Sequence, residues 1–273
     1  MNMFNDENDY RAKLKTPIRT DRIELKDVIP LDQPLRILID PSDVCNFRCK
    51  FCFQSYQKDF EGRIMSIELF EQIIKQLREF EKPINIIHLY GLGEPLINRN
   101  VPYFVKRIFE EKVAKEVSIT TNGSLLTHDM SDQLIEAGLT KITISLNGLK
   151  DEDFERIVGH KVQFERIYDQ IKYFFQNKKT SYLHVKINGD DYSEKEKERF
   201  VELFKDYADS INIDNVVDVW SGIETATDSS SKMYNESVNS YSDTGGKVVC
   251  PQLFYEMTIH PDGSVSPCCA DYI

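Results

Sequence analysis

The chain has 273 residues, 41% hydrophobic and 29% charged, enough for one large α/β domain or such a domain with a small appendage. Its 34 basic against 45 acidic residues give a net charge of −11, which argues against nonspecific binding along a nucleic-acid backbone. No run of about 18 apolar residues occurs and the acidic N-terminus lacks an apolar signal core, so no membrane span and no leader are expected.

Residues 1–34 are polar, carry Pro17, Pro30 and Pro34, and predict an irregular N-terminal arm. A strand follows at 35–39, ended by Asp40-Pro41-Ser42-Asp43. Cys45-Asn46-Phe47-Arg48-Cys49-Lys50-Phe51-Cys52 then places three thiols on the loop leaving that strand. Three thiolates so close can hold three corners of an iron–sulfur cube and leave the fourth iron open. Three other readings compete. A structural zinc site usually wants a fourth ligand, and the first histidine is His88. A disulfide would leave an odd thiol, and unrelated buried cysteines seldom cluster this closely.

The rest of the chain alternates helix and strand. A helix is predicted at 66–80, with Ser66 as its cap and Leu69, Ile73 and Leu77 on one face. A second strand at 85–90 ends in Gly91-Leu92-Gly93-Glu94-Pro95, and a helix follows at 102–111. A third strand at 116–121 ends in Asn122-Gly123, and its helix, 128–137, is capped by Thr127 and stopped by Gly138. The fourth strand, 141–146, ends in Asn147-Gly148, with helical stretches at 152–157 and 164–176. The fifth strand, 182–187, ends in Asn188-Gly189, then come a charged helix at 193–207 and a sixth strand at 211–219. Six strand–helix units call for a parallel sheet with right-handed crossovers, and six instead of eight predict an incomplete barrel. The unusual dipeptides all fall at strand C-termini, where such sheets gather their functional loops. Residues 221–247 are rich in Ser, Asp, Thr and Asn and predict a linker. Beyond it, Pro261-Asp262-Gly263 joins two short apolar runs and predicts a hairpin, with Cys268 across from the start of the first strand. The six cysteines fall in two groups, 45/49/52 and 250/268/269, which suits metal ligation in a reducing cytoplasm.

The C-x3-C-x-aromatic-C motif after a first strand resembles that of the radical S-adenosylmethionine (SAM) enzymes, with Phe51 in the aromatic slot. The resemblance implies a (β/α)6 partial barrel in which Cys45, Cys49 and Cys52 bind a [4Fe–4S] cluster and the open iron chelates S-adenosyl-L-methionine. It implies one-electron cleavage to a 5′-deoxyadenosyl radical, which abstracts a hydrogen atom. Gly93-Glu94 resembles the family motif that contacts the methionine amino group, though Leu92 parts the two glycines. Asn122 and Ser145 stand in stretches similar to family motifs that contact the cofactor; Asn147 replaces an Asp usual there. Arg156 resembles an arginine that pairs with the cofactor carboxylate, a favourable bidentate match. Turn chemistry for Asn122 and a solvated helix face for Arg156 are the plainer alternatives.

Cys250, Gly263 and Cys268 match the opening of the SPASM or twitch extension of the same superfamily, which implies an auxiliary iron–sulfur cluster held by Cys250, Cys268 and Cys269. A disulfide or an unmetallated hairpin competes. More cysteines come later in such extensions, so the sequence reads as a fragment or as a curtailed extension. The expected organisation is an arm at 1–34, the barrel at 35–220, a linker at 221–247 and the extension at 248–273. The expected function is hydrogen abstraction, either in peptide or protein maturation or in dehydrogenation or epimerisation of a small carbohydrate. An electron donor such as flavodoxin or ferredoxin is implied, and no nucleic-acid or membrane partner. The rival reading is a non-catalytic iron–sulfur or zinc protein acting in electron transfer or binding.

Overall fold

The computed structural model describes residues 24–57, 62–215 and 250–268. Most of the N-terminal arm, the linker, Trp220, the last residues of the expected sixth strand and Cys269 lie outside the described residues.

The elements are, in chain order, β1 (Arg36–Ile39), α1 (Ile67–Leu77), β2 (Ile84–His88), α2 (Val101–Glu110), β3 (Ala114–Thr121), α3 (His128–Glu136) and β4 (Lys141–Leu146). Then follow α4 (Asp151–Val158), α5 (Phe164–Asn177), β5 (Tyr182–Asn188), α6 (Glu194–Phe204), β6 (Ser210–Asp214), β7 (Glu256–Ile259) and β8 (Val265–Ser266). Local chemistry sets the boundaries. The Ser66 side chain accepts from the Leu69 amide and opens α1, and Thr127 does the same for α3 through Met130. Ser193 and Glu196 close a reciprocal cap at the start of α6. Gly159, at φ 69°, ends α4 in the left-handed region that glycine tolerates best.

The strands run in the order β6-β5-β4-β3-β2-β1-β7-β8, an eight-stranded sheet. All pairs from β6 through β7 are parallel, and only β8 is antiparallel. The partial barrel expected from the six strand–helix units is therefore present, and the hairpin extends it. One detail of the sequence reading is corrected. β7 takes the place beside β1, pairing Arg36 with Glu256 and Ile39 with Ile259, so β8 and Cys268 lie one strand further out. The Met257-Thr258-Ile259 segment of β7 is apolar enough to enter the sheet, whereas two-residue β8 is, among the described residues, its antiparallel edge.

The two faces of the sheet differ sharply. Ile37, Ile87, Val117, Ile119, Ile142, Ile144, Leu183 and Val185 are fully buried beneath the helices. Phe70 of α1 stacks on Phe104 of α2 at 3.9 Å within that layer. The opposite, inner face carries His88, Thr120, Lys141, Thr143, Ser145, His184 and Lys186, all of them half-buried. A parallel sheet covered on both faces would be apolar on both. The half-buried polar side chains of the inner face are not those of a sheet face packed in an apolar core.

Candidate functional site

The cysteine loop is fixed to the sheet by buried polar groups. Asp40, 1% exposed at the end of β1, accepts from the Ser42 amide (3.1 Å) and from the Leu92 amide (2.8 Å) after β2. Burial pushes its carboxyl up to about 7, against the pull of those two amides. Gln54, just past Cys52, donates to the carbonyls of Asp43 (2.7 Å) and Leu92 (3.0 Å). Asn98 donates to Pro41 and Met65, both at 2.9 Å. Three side chains thus clamp the two ends of the loop.

Gly91 and Gly93 are required by this packing. A Cβ on Gly91 would lie 2.2 Å from the Asp40 carboxylate, and one on Gly93 would lie 2.3 Å from the Ser42 carbonyl and 2.4 Å from that of Val44. The space a side chain would take is filled by the cysteine loop itself. The Glu94 amide then donates to Val44 (2.9 Å), continuing the loop-to-loop contact.

Glu94 is 2% exposed and turned inward. Its Oε1 accepts from the Thr121 hydroxyl (2.6 Å) and the Leu96 amide (3.1 Å), and its Oε2 from the Asn122 amide (2.8 Å). Burial raises its carboxyl to about 6 and these donors hold it down. The sequence reading offered this carboxylate to an ammonium group; in the fold both of its oxygens are engaged by the protein. Asn122 donates to Asn46 in the cysteine loop (3.0 Å) and accepts from Ser124, which in turn accepts from Asn46 (2.9 Å). The loops after β1, β2 and β3 are one hydrogen-bonded unit.

The cysteine loop continues across the rim. Arg48 and Lys50 donate their amides to Val158 (3.0 Å) and Ile157 (2.9 Å) at the end of α4. Lys50 forms an ion pair with Asp191, which follows β5. Arg156 joins the same carboxylate at 3.3 Å and reaches Asp153 at 3.3 Å. Its guanidinium, expected to pair with a cofactor carboxylate, is thus shared between two aspartates, and its side chain is 46% exposed. Ser145 lies on the inner face of β4, and the Asn147 side chain bonds its carbonyl at 3.0 Å. In a flat sheet β1 and β5 would stand about 19 Å apart, a gap that the loop bridges along the strand C-termini.

Cys45, Cys49 and Cys52 are free thiols, half-buried at this rim. Phe51 is half-buried and, like Cys45 and Cys49, packs against the hydrophobic core. Desolvation pushes Cys45 up to about 11 and raises Cys49 and Cys52 as well. Mutual repulsion adds to the shift at Cys49, where both other thiols contribute, so the three lie within electrostatic reach of one another. Among the described residues no three Cys, His, Asp or Glu side chains converge on a single-ion geometry.

The second cysteine group stands elsewhere. Cys250 is exposed before a short turn, Pro251–Phe254, that leads into β7, and among the described residues its sulfur approaches Gln252 at 3.9 Å. Cys268 follows β8. The predicted Asp-Gly turn is present: Asp262 caps Ser264, and Gly263 at φ 86° sits 3.1 Å, by its absent Cβ, from Leu69 of α1. Arg63 bonds Asp262 and, at 3.5 Å, the buried Asp43, tying the hairpin turn to the cysteine loop.

The predicted residues Cys45, Cys49, Cys52, Phe51, Gly93, Glu94 and Asn122 therefore meet at one rim with Arg156 at its far side, and Ser145 lies below on the inner face. Sequence reasoning missed Asp40, Asn46, Gln54, Asn98 and Asp191. Asp40 and Gln54 flank the cysteine motif, the only linear signal available. The others bond partners as distant as 78 and 141 positions away.

The sequence profile of the radical SAM superfamily matches residues 39–214. A probable GTP 3′,8-cyclase of Methanococcus maripaludis is 33% identical over 129 residues, 47% of this chain and 41% of that protein. SuiB of Streptococcus suis, solved bound to its precursor peptide SuiA, superposes with a TM-score of 0.65 at 20% identity, covering 90% of this chain and 62% of that one. The same protein bound to S-adenosylmethionine gives 0.63 at 19% identity, covering 89% and 62%. At such identity the superpositions speak for the fold, and the chain spans less than half the length of the curated relative it matches.

Proposed function

The chain belongs to the radical SAM superfamily, and on that premise we propose that Cys45, Cys49 and Cys52 ligate a [4Fe–4S] cluster whose open iron takes S-adenosyl-L-methionine. The single observation behind this reading is the clamped loop: three free thiols on one loop, within electrostatic reach of one another, held by Asp40, Gln54 and Asn98 at the C-terminal rim of a parallel sheet. The donor set fits the group, because thiolates that repel one another are relieved by iron between them. When bound, cluster and cofactor supply reductive cleavage of the sulfonium and a radical that abstracts hydrogen.

The protein's own part is placement. Phe51, packed against the core within the cysteine motif, limits water at the loop. Glu94 acts by holding the loops after β2 and β3 together, so that the backbone around Gly93 and the amide of Asn122 line the cofactor position. Ser145 offers a hydroxyl to the cofactor from the inner face. Arg156 stands where a cofactor carboxylate could replace Asp153 or Asp191 as its partner. The substrate enters the polar inner face. The relatives support two classes, a small molecule and a peptide, since one set is named for GTP cyclisation and the other is seen with a precursor peptide. Carbohydrate dehydrogenation or epimerisation belongs to the first class. A flavodoxin or ferredoxin would deliver the electron, in a cytoplasmic setting. Residues 35–220 form the catalytic barrel, and 248–273 begin an extension in which Cys250 and Cys268, with Cys269, hold an auxiliary cluster.

The test is anaerobic reconstitution with iron and sulfide, then dithionite and S-adenosylmethionine. Production of 5′-deoxyadenosine that vanishes in Cys49→Ala supports the enzyme. A bound cluster without cleavage would favour a carrier, and zinc in place of iron would end the reading.

A further inference from the structure

The inner face carries a second set of chemical groups, deeper than the cysteine rim. The strand registers place Leu38, His88, Ser118, Lys141 and Tyr182 across one row. Thr120, Thr143, His184 and Ser210 form the next row towards the rim. Ser145, Lys186 and Asn212 form the third. Lys141 therefore sits about 13 Å below Ser145, four residues along β4.

The charged groups on this face are mostly matched. Arg36 pairs with Glu256, and Lys186 with Asp214 at 2.9 Å. Glu116 is exposed at the lower edge, in the row of Arg36 and Ile86. Lys141 differs: among the described residues its ammonium forms no ion pair, and it stands 5.9 Å from the centre of the Tyr182 ring. Two imidazoles stand on either side of it on the same face, His88 two strands away on β2 and His184 on the neighbouring β5, one row nearer the rim. His88 is held through Nδ1 by Ser118 at 2.5 Å, and His184 through Nδ1 by Ser210 at 2.6 Å. When each serine donates to Nδ1, each Nε2 carries the proton and is left as a donor on the inner face. Burial, then the nearby cations Arg36 and Lys141, pushes His88 down to about 4. Burial and Lys141 also lower His184, with Asp214 opposing. Both rings are therefore neutral donors beside an unmatched ammonium.

We propose that Lys141, His88 and His184 form an anion subsite, which takes a phosphate or carboxylate group of a small-molecule substrate. The oxyanion meets one positive charge and two N–H donors on rigid strands, a charge-assisted arrangement in a partly desolvated site. Anchoring one end of the substrate there directs its other end to the cysteine rim. The inference rests on the proposed function only in treating the inner face as the substrate cavity.

The test is binding, without turnover. The full reconstituted chain is titrated by calorimetry with inorganic phosphate and, separately, with tricarballylate at low ionic strength. Phosphate binding alone identifies a phosphorylated substrate, and tricarballylate binding alone a carboxylate. Lys141→Met should weaken the bound anion at least tenfold, Lys141→Arg should stay within about threefold, and Lys115→Met, on the opposite surface layer, should change nothing. Cys49→Ala should keep the affinity, so failure of the cluster reading registers separately. Absence of binding by either anion, or equal affinity in Lys141→Met and wild type, would overturn the proposal.

Discussion

Two groups of cysteines stand at opposite ends of the same pair of strands. Cys45, Cys49 and Cys52 follow the C-terminal end of β1, while Cys250 leads into the start of β7 and Cys268 returns after β8. Around the first group, Asp40, Gln54, Asn98 and Glu94 are each at most 8% exposed and each bonds the backbone of a neighbouring loop. Around the second, Cys250 is exposed and its sulfur touches one glutamine. Cysteines occur in both places, but among the described residues only those at the first have a surrounding backbone fixed by buried hydrogen bonds. That preorganisation distinguishes the first cysteine loop.

The largest test of that contrast is Cys49→Ala, which should reduce bound iron to background and abolish 5′-deoxyadenosine, read by iron assay and chromatography. Gly93→Ala comes next. Its methyl would lie 2.3 Å and 2.4 Å from two backbone carbonyls of the cysteine loop, so the loops must part. A destabilisation of about 1–3 kcal/mol in urea titration, with iron lost alongside, is expected. Wild-type stability in this variant would show that the loop contact is not needed.

Glu94→Gln keeps the shape but turns one acceptor into a donor facing an N–H, from Thr121, Leu96 or Asn122. It should cost about 1–3 kcal/mol and broaden the spectrum of the reconstituted cluster. Asp40 gives a pH-dependent effect. Its folded carboxyl lies at about 7 against an ordinary 3.8, so between those values the folded chain holds a proton that the unfolded chain has released. The stability it brings is fully present below 3.8 and lost as pH rises through 7. Asp40→Asn removes that dependence, so the variant should gain on wild type in urea midpoints taken at about pH 8 relative to about pH 5. A constant difference would refute the burial argument. Smallest is Cys250→Ser, expected to shift stability by less than about 0.5 kcal/mol and to leave the first cluster's iron unchanged.

The sequence by itself determined the alternation of strands and helices, since hydrophobic periodicity and caps such as Ser66 and Thr127 are local. It also determined the C-x3-C-x2-C loop and the Asp-Gly hairpin, because spacing and turn chemistry are read within a few residues. The alternation in Lys141-Ile142-Thr143-Ile144-Ser145-Leu146 already held the polar inner face, though only the sheet shows which neighbours share it. Only the tertiary structure decided that Glu94 faces inward, that Arg156 is shared by Asp153 and Asp191, and that β7 inserts beside β1. Those outcomes depend on partners far apart in the chain, and burial rather than residue type sets which of a side chain's possible hydrogen bonds is made. A linear pattern records which groups are available; the packed sheet fixes where they are spent.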